Sequence, residues 1–422
     1  ITVDVRNVEE LAEAIQRLAE DATLRKTLAN EATNRNFKSW QDYAREVGMR
    51  LFQATTVTHP RKLPSIGSKP EKHTQAIQIP PRPMLSICIT TYNRAEWLAT
   101  SLKSLSILYP KPLPEVEFLV CDNTSTDHTP EVVKPYLDRP DFSYHRNAHN
   151  VGMLGNLRET AHYARGEYIW IIGDDDLLMP GSIERILATL HAHLRVGLVY
   201  LNYAFTRIDD ARTVTDFNAF FREATPIVPP EIDLEGPIRT ICARNENFFT
   251  AIYTLVFRRD QALRAYSQDT SGRPFSTMLT CIPTTHYVLN HMMEQQGVWI
   301  GAPQIVVNMN VSWMKYAPLW ILERIPEVYE EAERRGVAVK DIDRWRCHTL
   351  PGVVNYFDEI FRNDPLNNAA YFSPSRLVRR FKHLPEFRNI YPKLREIYTQ
   401  AHTNGHPAAL APVSRVFPDT IV

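Results

Sequence analysis

Three consecutive aspartates, Asp174, Asp175 and Asp176, end the apolar run in "EYIWIIGDDDLLMPGS" (Glu167–Ser182). Adjacent carboxylates repel one another, and a strand this apolar carries them toward a protein interior, so the cluster calls for a positive partner. A divalent cation, Mg2+ or Mn2+, accepts such hard oxygen ligands and commonly completes its shell with the phosphates of a substrate. The competing reading is a helix start, because Pro180 and Gly181 mark a turn and acids favour the first turn of a helix. The three residues alone leave both readings open.

Other polar clusters have the same character. "TTYNRAEWL" offers the hydroxyl of Thr90, the ring of Tyr92 and the amide of Asn93, with Arg94 opening a helix; a plain polar strand-to-helix loop would look the same. In "VCDNTSTDHTP", Asp122 is placed to accept hydrogen bonds from a base or a ribose, and Asp127 to cap the next helix. "NAHNVGMLGN" supplies Asn150, Gly152 and Asn156, where glycine would let the backbone approach a ligand or simply form a turn.

Short apolar strands alternating with helices must position these clusters. Leu85–Ile89, Val116–Cys121, Phe142–His145, Tyr168–Ile172 and Gly197–Tyr203 read as strands, and Arg94–Leu108, Leu154–Ala164 and Gly181–Leu194 as helices. The alternation predicts an α/β fold with a mainly parallel sheet covered by helices on both faces. In such sheets ligands sit beyond the carboxyl ends of the strands, which is where all four polar clusters fall.

The flanks differ from this middle section. Residues 1–53 carry Leu11, Ile15 and Leu18 at helical spacing, and residues 54–83 are rich in proline, as a linker would be. Residues 84–330 form the expected α/β domain, divided at 205/206 into a strand-rich half and a less regular half, and 331–422 read as a helical extension. The chain opens at Ile1, which suggests a piece of something longer.

Lys plus Arg and Asp plus Glu number 48 each in the 422 residues, so no global basic field draws the chain to nucleic acid. Five scattered cysteines without a CxxC predict neither a disulfide framework nor a zinc site, and a cytoplasmic setting fits them. No apolar run reaches the roughly 20 residues of a membrane span. The basic stretch "SRLVRRFKHL" (Ser375–Leu384) reads as a solvated helix face or as a peripheral contact with the inner face of an anionic membrane.

The run "LSICITTYNR … FLVCDNTSTDHT … NVGMLGNL … ARGEYIWIIGDDDLLMPGSIERIL" resembles the nucleotide-binding half of family 2 glycosyltransferases, which have the GT-A fold. The resemblance covers roughly residues 84–200, with the motifs in the family's order. It implies an inverting, metal-dependent glycosyltransferase that takes a UDP- or dTDP-linked sugar to a glycan or lipid-linked glycan, in bacterial surface polysaccharide synthesis. Carried onto this chain, Thr90, Tyr92 and Asp122 would contact the nucleoside. Asn150 and Gly152, with Asn93, Arg94 and Asn156 near them, would line the donor site, and Asp174–Asp176 would serve as the DxD motif. Gly173 stands where the family usually has its first aspartate, so the division of metal and ribose roles among the three stays open.

The family's acidic pair, which supplies the base, corresponds to Thr285 and His286 in "CIPTTHYVLNHMMEQQGVWIG". His286 is then the expected base, since imidazole titrates near neutrality, with Glu246 and Asp269 in reserve. Asn308, Ser312 and Trp313 would belong to a loop closing over donor or acceptor, and Arg258–Arg259 resemble a paired-arginine feature of the family. Residues 1–53 resemble the closing helices of a GT-B glycosyltransferase of the family 4 type, which implies a longer tandem transferase. The alternative to an enzyme is a non-catalytic GT-A-like docking or scaffold module.

Overall fold

The computed structural model describes residues 82–206, 211–308 and 313–419, together with Asp21 and Thr23. The chain divides into two units, Ile1–Gln78 and Ile79–Val422, and the sheet with its helices belongs to the second. The expected N-terminal helices and nearly all of the proline-rich linker lie outside the described residues.

Ten strands form one sheet: β1 Leu85–Thr91, β2 Val116–Asp122, β3 Phe142–Arg146, β4 Tyr168–Gly173, β5 Leu177–Leu178, β6 Leu198–Phe205, β7 Thr225–Pro226, β8 Leu234–Pro237, β9 Leu255–Arg258 and β10 Gln296–Val307. The order along the main path is β3-β2-β1-β4-β9-β6-β10-β5. Pairings of β3 with β2, β2 with β1, β1 with β4 and β6 with β10 are parallel. β9 runs antiparallel to both β4 and β6. The five strands expected from sequence are all present. β9 was not expected, because its four residues carry too little pattern to mark a strand before tertiary pairing supplies the partners.

The helices used below are α1 Ala95–Leu108, α2 Gly152–Tyr163, α3 Ser182–Ala192, α4 Arg259–Tyr266, α5 Pro283–His291, α6 Ile325–Arg334, α7 Val339–Arg362, α8 Pro374–Phe381 and α9 Pro385–Thr403. Alternate residues of β1 explain the layers. Leu85, Ile87 and Ile89 pack with Leu98 and Leu102 of α1 and with Ile183, Ile186 and Leu190 of α3. Cys88 faces the other way, into a core with Leu157 and Ala161 of α2. That second core continues through Phe248, Phe249 and Tyr329 into Phe357, Phe381 and Phe387 of the C-terminal helices.

A buried ion cluster ties those helices to the domain. Glu323 is fully buried; it accepts from Arg380 at 2.8 Å, from Arg376 at 3.2 Å and from the Ser373 amide at 2.7 Å. Within "SRLVRRFKHL", Arg380 is therefore turned onto an internal carboxylate, and Arg376, 43% exposed at its side chain, reaches the same carboxylate from the surface. No helix among the described residues is long and apolar enough to cross a membrane. Replacing Glu323 by Gln would leave the buried Arg380 with Glu330 as its remaining carboxylate partner, and we expect a loss of about 1.5–3 kcal/mol in chemical denaturation of the full chain.

Candidate active site

The carboxyl ends of β1, β2 and β4 lie side by side, because Thr90 pairs with Gly173 and Thr91 with Asp122 across parallel ladders. Three polar loops therefore open at one edge. They are stitched to one another by side chains: the Asn93 amide donates to Ser125 Oγ (2.9 Å), and Asn93 Oδ1 accepts from the Thr126 amide (2.7 Å). Asp127 accepts from the Ala95 amide at 3.0 Å, so it caps α1, and from the Thr129 amide and hydroxyl at 3.1 and 2.6 Å. Asn93 and Thr124 hold φ of 53° and 68°, a conformation that asparagine tolerates and threonine adopts only when its surroundings enforce it.

At the centre stands Arg94. Its Nη2 donates to Asp175 Oδ2 at 2.6 Å, and its Nε lies 3.1 Å from Asp174 Oδ1. The second contact is an ion pair without hydrogen-bond alignment, since that Nε has no hydrogen-bond partner. The guanidinium lies 4.9 Å from the centre of the Trp97 ring, and Arg212 approaches the same ring at 4.8 Å. A cavity of about 140 Å3, lined by Asn93, Arg94, Glu96, Trp97, Asp127, His128 and Arg212, opens beside it.

The three aspartates have different environments. Asp174 is 4% exposed and accepts from Thr91 Oγ1 at 2.7 Å. Burial pushes its carboxyl up to about 7, against the pull of Arg94 and with the push of Asp175. Asp176, 5% exposed, accepts from the Gly173 amide at 2.8 Å, and burial beside Asp175 drives it well above the ordinary carboxylate range. Asp175 is only half-buried, and its Oδ2 also accepts from Asn308 Nδ2 at 3.1 Å. Asn308 begins the loop that the family resemblance implies would close over donor or acceptor.

The division of roles among the three aspartates, left open by the sequence, meets a geometric limit. Among the described residues no three His, Cys, Asp or Glu side chains converge as a ligand set. Asp174 turns to Thr91, and Asp176 turns back to its own strand end. What does fit a cation is the chemistry of Asp175: a hard carboxylate, 15% exposed at its side chain, whose oxygen already binds the Arg94 guanidinium.

The remaining expected residues divide between rim and frame. Tyr92 is 44% exposed and Thr90 half-buried, with its hydroxyl 3.4 Å from the Ile172 carbonyl. Asn150 and Gly152 are exposed, and Gly152 holds φ of 75° with open space where a side chain would lie. Asp122 is fully buried; Oδ1 accepts from the Ser125 amide (2.8 Å) and Oδ2 from Tyr144 (2.7 Å), with Arg146 at 3.4 Å. Both oxygens are thus engaged by the protein, which departs from the expected nucleoside contact. Asn156 is buried as well, bonded to Asn147 (2.8 Å) and to the Cys121 carbonyl (3.3 Å). Asn123 joins this frame through Asn147, Val151 and Asn150. Arg258 pairs with Asp260, and Arg259 holds the end of α2 at the Ala164 carbonyl (3.0 Å).

His286 sits on α5 with Nδ1 2.7 Å from Gln268 Oε1. Burial lowers its pKa, and the charges acting on it are His291, Glu331 and Arg335, not the aspartates. The preceding Thr285 is buried and donates to the Phe249 carbonyl at 2.8 Å. Asp269 is exposed and accepts from the Ser271 amide. Trp313 is half-buried, stacked 5.9 Å from Phe275, and Ser312 lies outside the described residues.

Residues 86–251 match the family described as glycosyl transferase family 2, and the mostly parallel sheet with its helices has the α/β arrangement of the GT-A fold. Curated relatives include abequosyltransferase RfbV of Salmonella typhimurium, 36% identical over 117 residues, covering 27% of this chain and 35% of the relative. A Campylobacter jejuni protein named GalNAc(5)-diNAcBac-PP-undecaprenol beta-1,3-glucosyltransferase is 29% identical over 108 residues, covering 25% of this chain and 34% of the relative. The chain thus spans about a third of the length of each. Among solved structures, S. aureus TarS in complex with UDP-GlcNAc is similar at 16% identity and a TM-score of 0.46, covering 75% of this chain and 91% of that one.

The raised carboxyl of Asp174 predicts a pH effect. Its unfolded form loses its proton near pH 4 and its folded form near 7, so the stability it contributes is full below 4 and is lost as pH rises to 7. Asp174→Asn should therefore flatten the fall in melting temperature between pH 5 and 8, with little change near pH 4. An unchanged slope in thermal denaturation would contradict the burial effect.

Proposed function

We propose that the chain is a glycosyltransferase that moves a sugar from a UDP- or dTDP-linked donor to a glycan or lipid-linked glycan, with inversion, in bacterial surface polysaccharide synthesis. The observation that carries this reading is the convergence of Arg94, Asp175 and Asn308 at the carboxyl edge of a family 2 domain. A nucleoside diphosphate leaving group develops negative charge, and a positive group at a strand edge answers it. The sugar transfers named for the two curated relatives support the same class of reaction.

A divalent metal, Mg2+ or Mn2+, belongs to this reading. Asp175, with Asp174 or Asp176, would hold it, and it would neutralise charge on the departing diphosphate. Arg94 would turn from the aspartates toward the diphosphate once another cation shields them. Thr90, Tyr92, Asn150 and Gly152 would line the donor site from the rim. Asp122 and Asn156 would act from beneath, by holding the loops. The cytoplasmic setting, a peripheral contact at the inner face of the membrane, and a preceding GT-B-like unit in a longer multidomain protein are parts of the same proposal.

A second reading, a non-catalytic docking module, is favoured by Thr285: its hydroxyl is committed to the Phe249 carbonyl where the family places an acid. Titration with a panel of UDP- and dTDP-sugars in the presence of Mn2+ separates the two. Donor binding followed by hydrolysis or transfer is expected; binding without turnover would leave the scaffold reading, and no binding would sink the first. Asp175→Asn should lower turnover at least about 100-fold with the fold retained, as checked by circular dichroism.

A further inference from the structure

The segment between β8 and β9 touches β4, through Trp170 and the Tyr253 carbonyl, and is held in an unusual way. Phe248 and Phe249, both fully buried, have φ of 45° and 65° in succession. Left-handed backbone at a bulky residue costs about 1–3 kcal/mol, and such strain persists where the surrounding structure enforces it, often at functional sites. Enforcement here is visible. Asn245 Oδ1 accepts from Tyr200 (2.7 Å) and from the Asn247 amide (2.8 Å), and Phe248 packs edge-on against Tyr329 of α6 at 5.1 Å. The C-terminal helix α7 grips the same segment: Trp345 Nε1 and Arg344 Nη2 both donate to the Ala243 carbonyl, at 3.0 and 3.1 Å.

The side chain that this scaffold presents is Glu246. It is half-buried, 3.4 Å from the Tyr203 hydroxyl, and its Oε2 lies 3.5 Å from Nδ1 of His348 on α7. Tyr203 meets Tyr253 edge to ring at 5.3 Å, and Trp170 of β4, the strand that carries the aspartates, donates to the Tyr253 carbonyl at 2.8 Å. Both Asp176 and Glu246 act on the Tyr253 hydroxyl, which is raised first by burial. Glu246 is thus linked through Tyr203 and Tyr253 to β4, the strand that ends in the aspartates, whereas His286 answers to Gln268, His291, Glu331 and Arg335.

We propose that Glu246 is the base that deprotonates the acceptor, and that His348 from the C-terminal extension is its positioning partner. This rests on the transferase reading above. In the step, the acceptor O–H proton passes to a Glu246 carboxylate oxygen while the acceptor oxygen forms its bond to the anomeric carbon. The bond from that carbon to the diphosphate breaks, and the nucleoside diphosphate leaves with the electron pair. Glu246 then releases the proton to water, while His348, 69% exposed at its side chain, holds the carboxylate in place. Burial raises Glu246 above the ordinary carboxylate range and His348 opposes that, with Tyr200, Tyr203, Tyr253 and Tyr329 as the other titratable groups around it.

The test uses the full chain with Mn2+ and a panel of UDP- and dTDP-sugars, reading hydrolysis with water as the acceptor. Glu246→Gln should keep nucleotide affinity and melting temperature, lower kcat about 10²–10⁴-fold, and lose the acidic limb of the pH profile. His348→Gln should lower the rate less and move that limb to higher pH, because the carboxyl loses the group that holds it down. Full turnover in Glu246→Gln with intact nucleotide affinity would overturn the assignment and leave the transferase reading standing. Loss of the limb in His286→Ala, with the limb kept in Glu246→Gln, would return the base to His286. Absence of turnover by the unsubstituted protein on every donor would overturn both readings.

Discussion

The placement of Arg94 between Asp174 and Asp175 is the constraint around which the domain is arranged. Three adjacent carboxylates at the end of a strand that is buried on both faces cannot all stay charged without an opposing group. Here one guanidinium serves two of them, while a third carboxylate folds back onto the Gly173 amide. Arg94 is held in turn by the Trp97 ring and by the start of α1, whose first amide is capped by Asp127 from the neighbouring loop. The pairing of β1 with β4 then becomes more than a sheet contact, because it brings the arginine of one loop to the acids of the other.

The loops around this centre are kept in shape by amides. Asn93, Asn123, Asn147, Asn150 and Asn156 bond to backbone and to one another, so the rim facing a ligand rests on a polar frame with few charges. Neutral side chains suit this place, since each donor and acceptor can be met locally without adding to the charge already concentrated on the aspartates. Asp122 and Asp127 are the exceptions: Asp122 meets an amide, a phenol and an arginine, and Asp127 meets the Ala95 amide and the Thr129 amide and hydroxyl.

The C-terminal helices complete the second core and do more than cover it. Through Glu323 they are fastened by a buried ion cluster, and through Arg344, Trp345 and His348 they reach the segment bearing Glu246. A helical extension that reads from sequence as a separate appendage is therefore packed continuously with the domain's own aromatic residues, from Phe248 through Tyr329 to Phe357.

By itself the sequence determined the α/β alternation, the five principal strands to within two residues, and the four polar loops at their carboxyl ends. These are local properties: apolar periodicity and loop chemistry are carried by neighbouring residues, so a linear reading finds them. Only the tertiary structure decided which groups meet. It set β9 antiparallel between β4 and β6, gave the positive partner of the aspartates to Arg94, turned Asp122 and Asn156 into frame, and brought His348 to Glu246 across about a hundred residues of chain. The physical reason is that a charge's partner and a carboxyl's burial depend on packing between segments distant in sequence, which no spacing along the chain records.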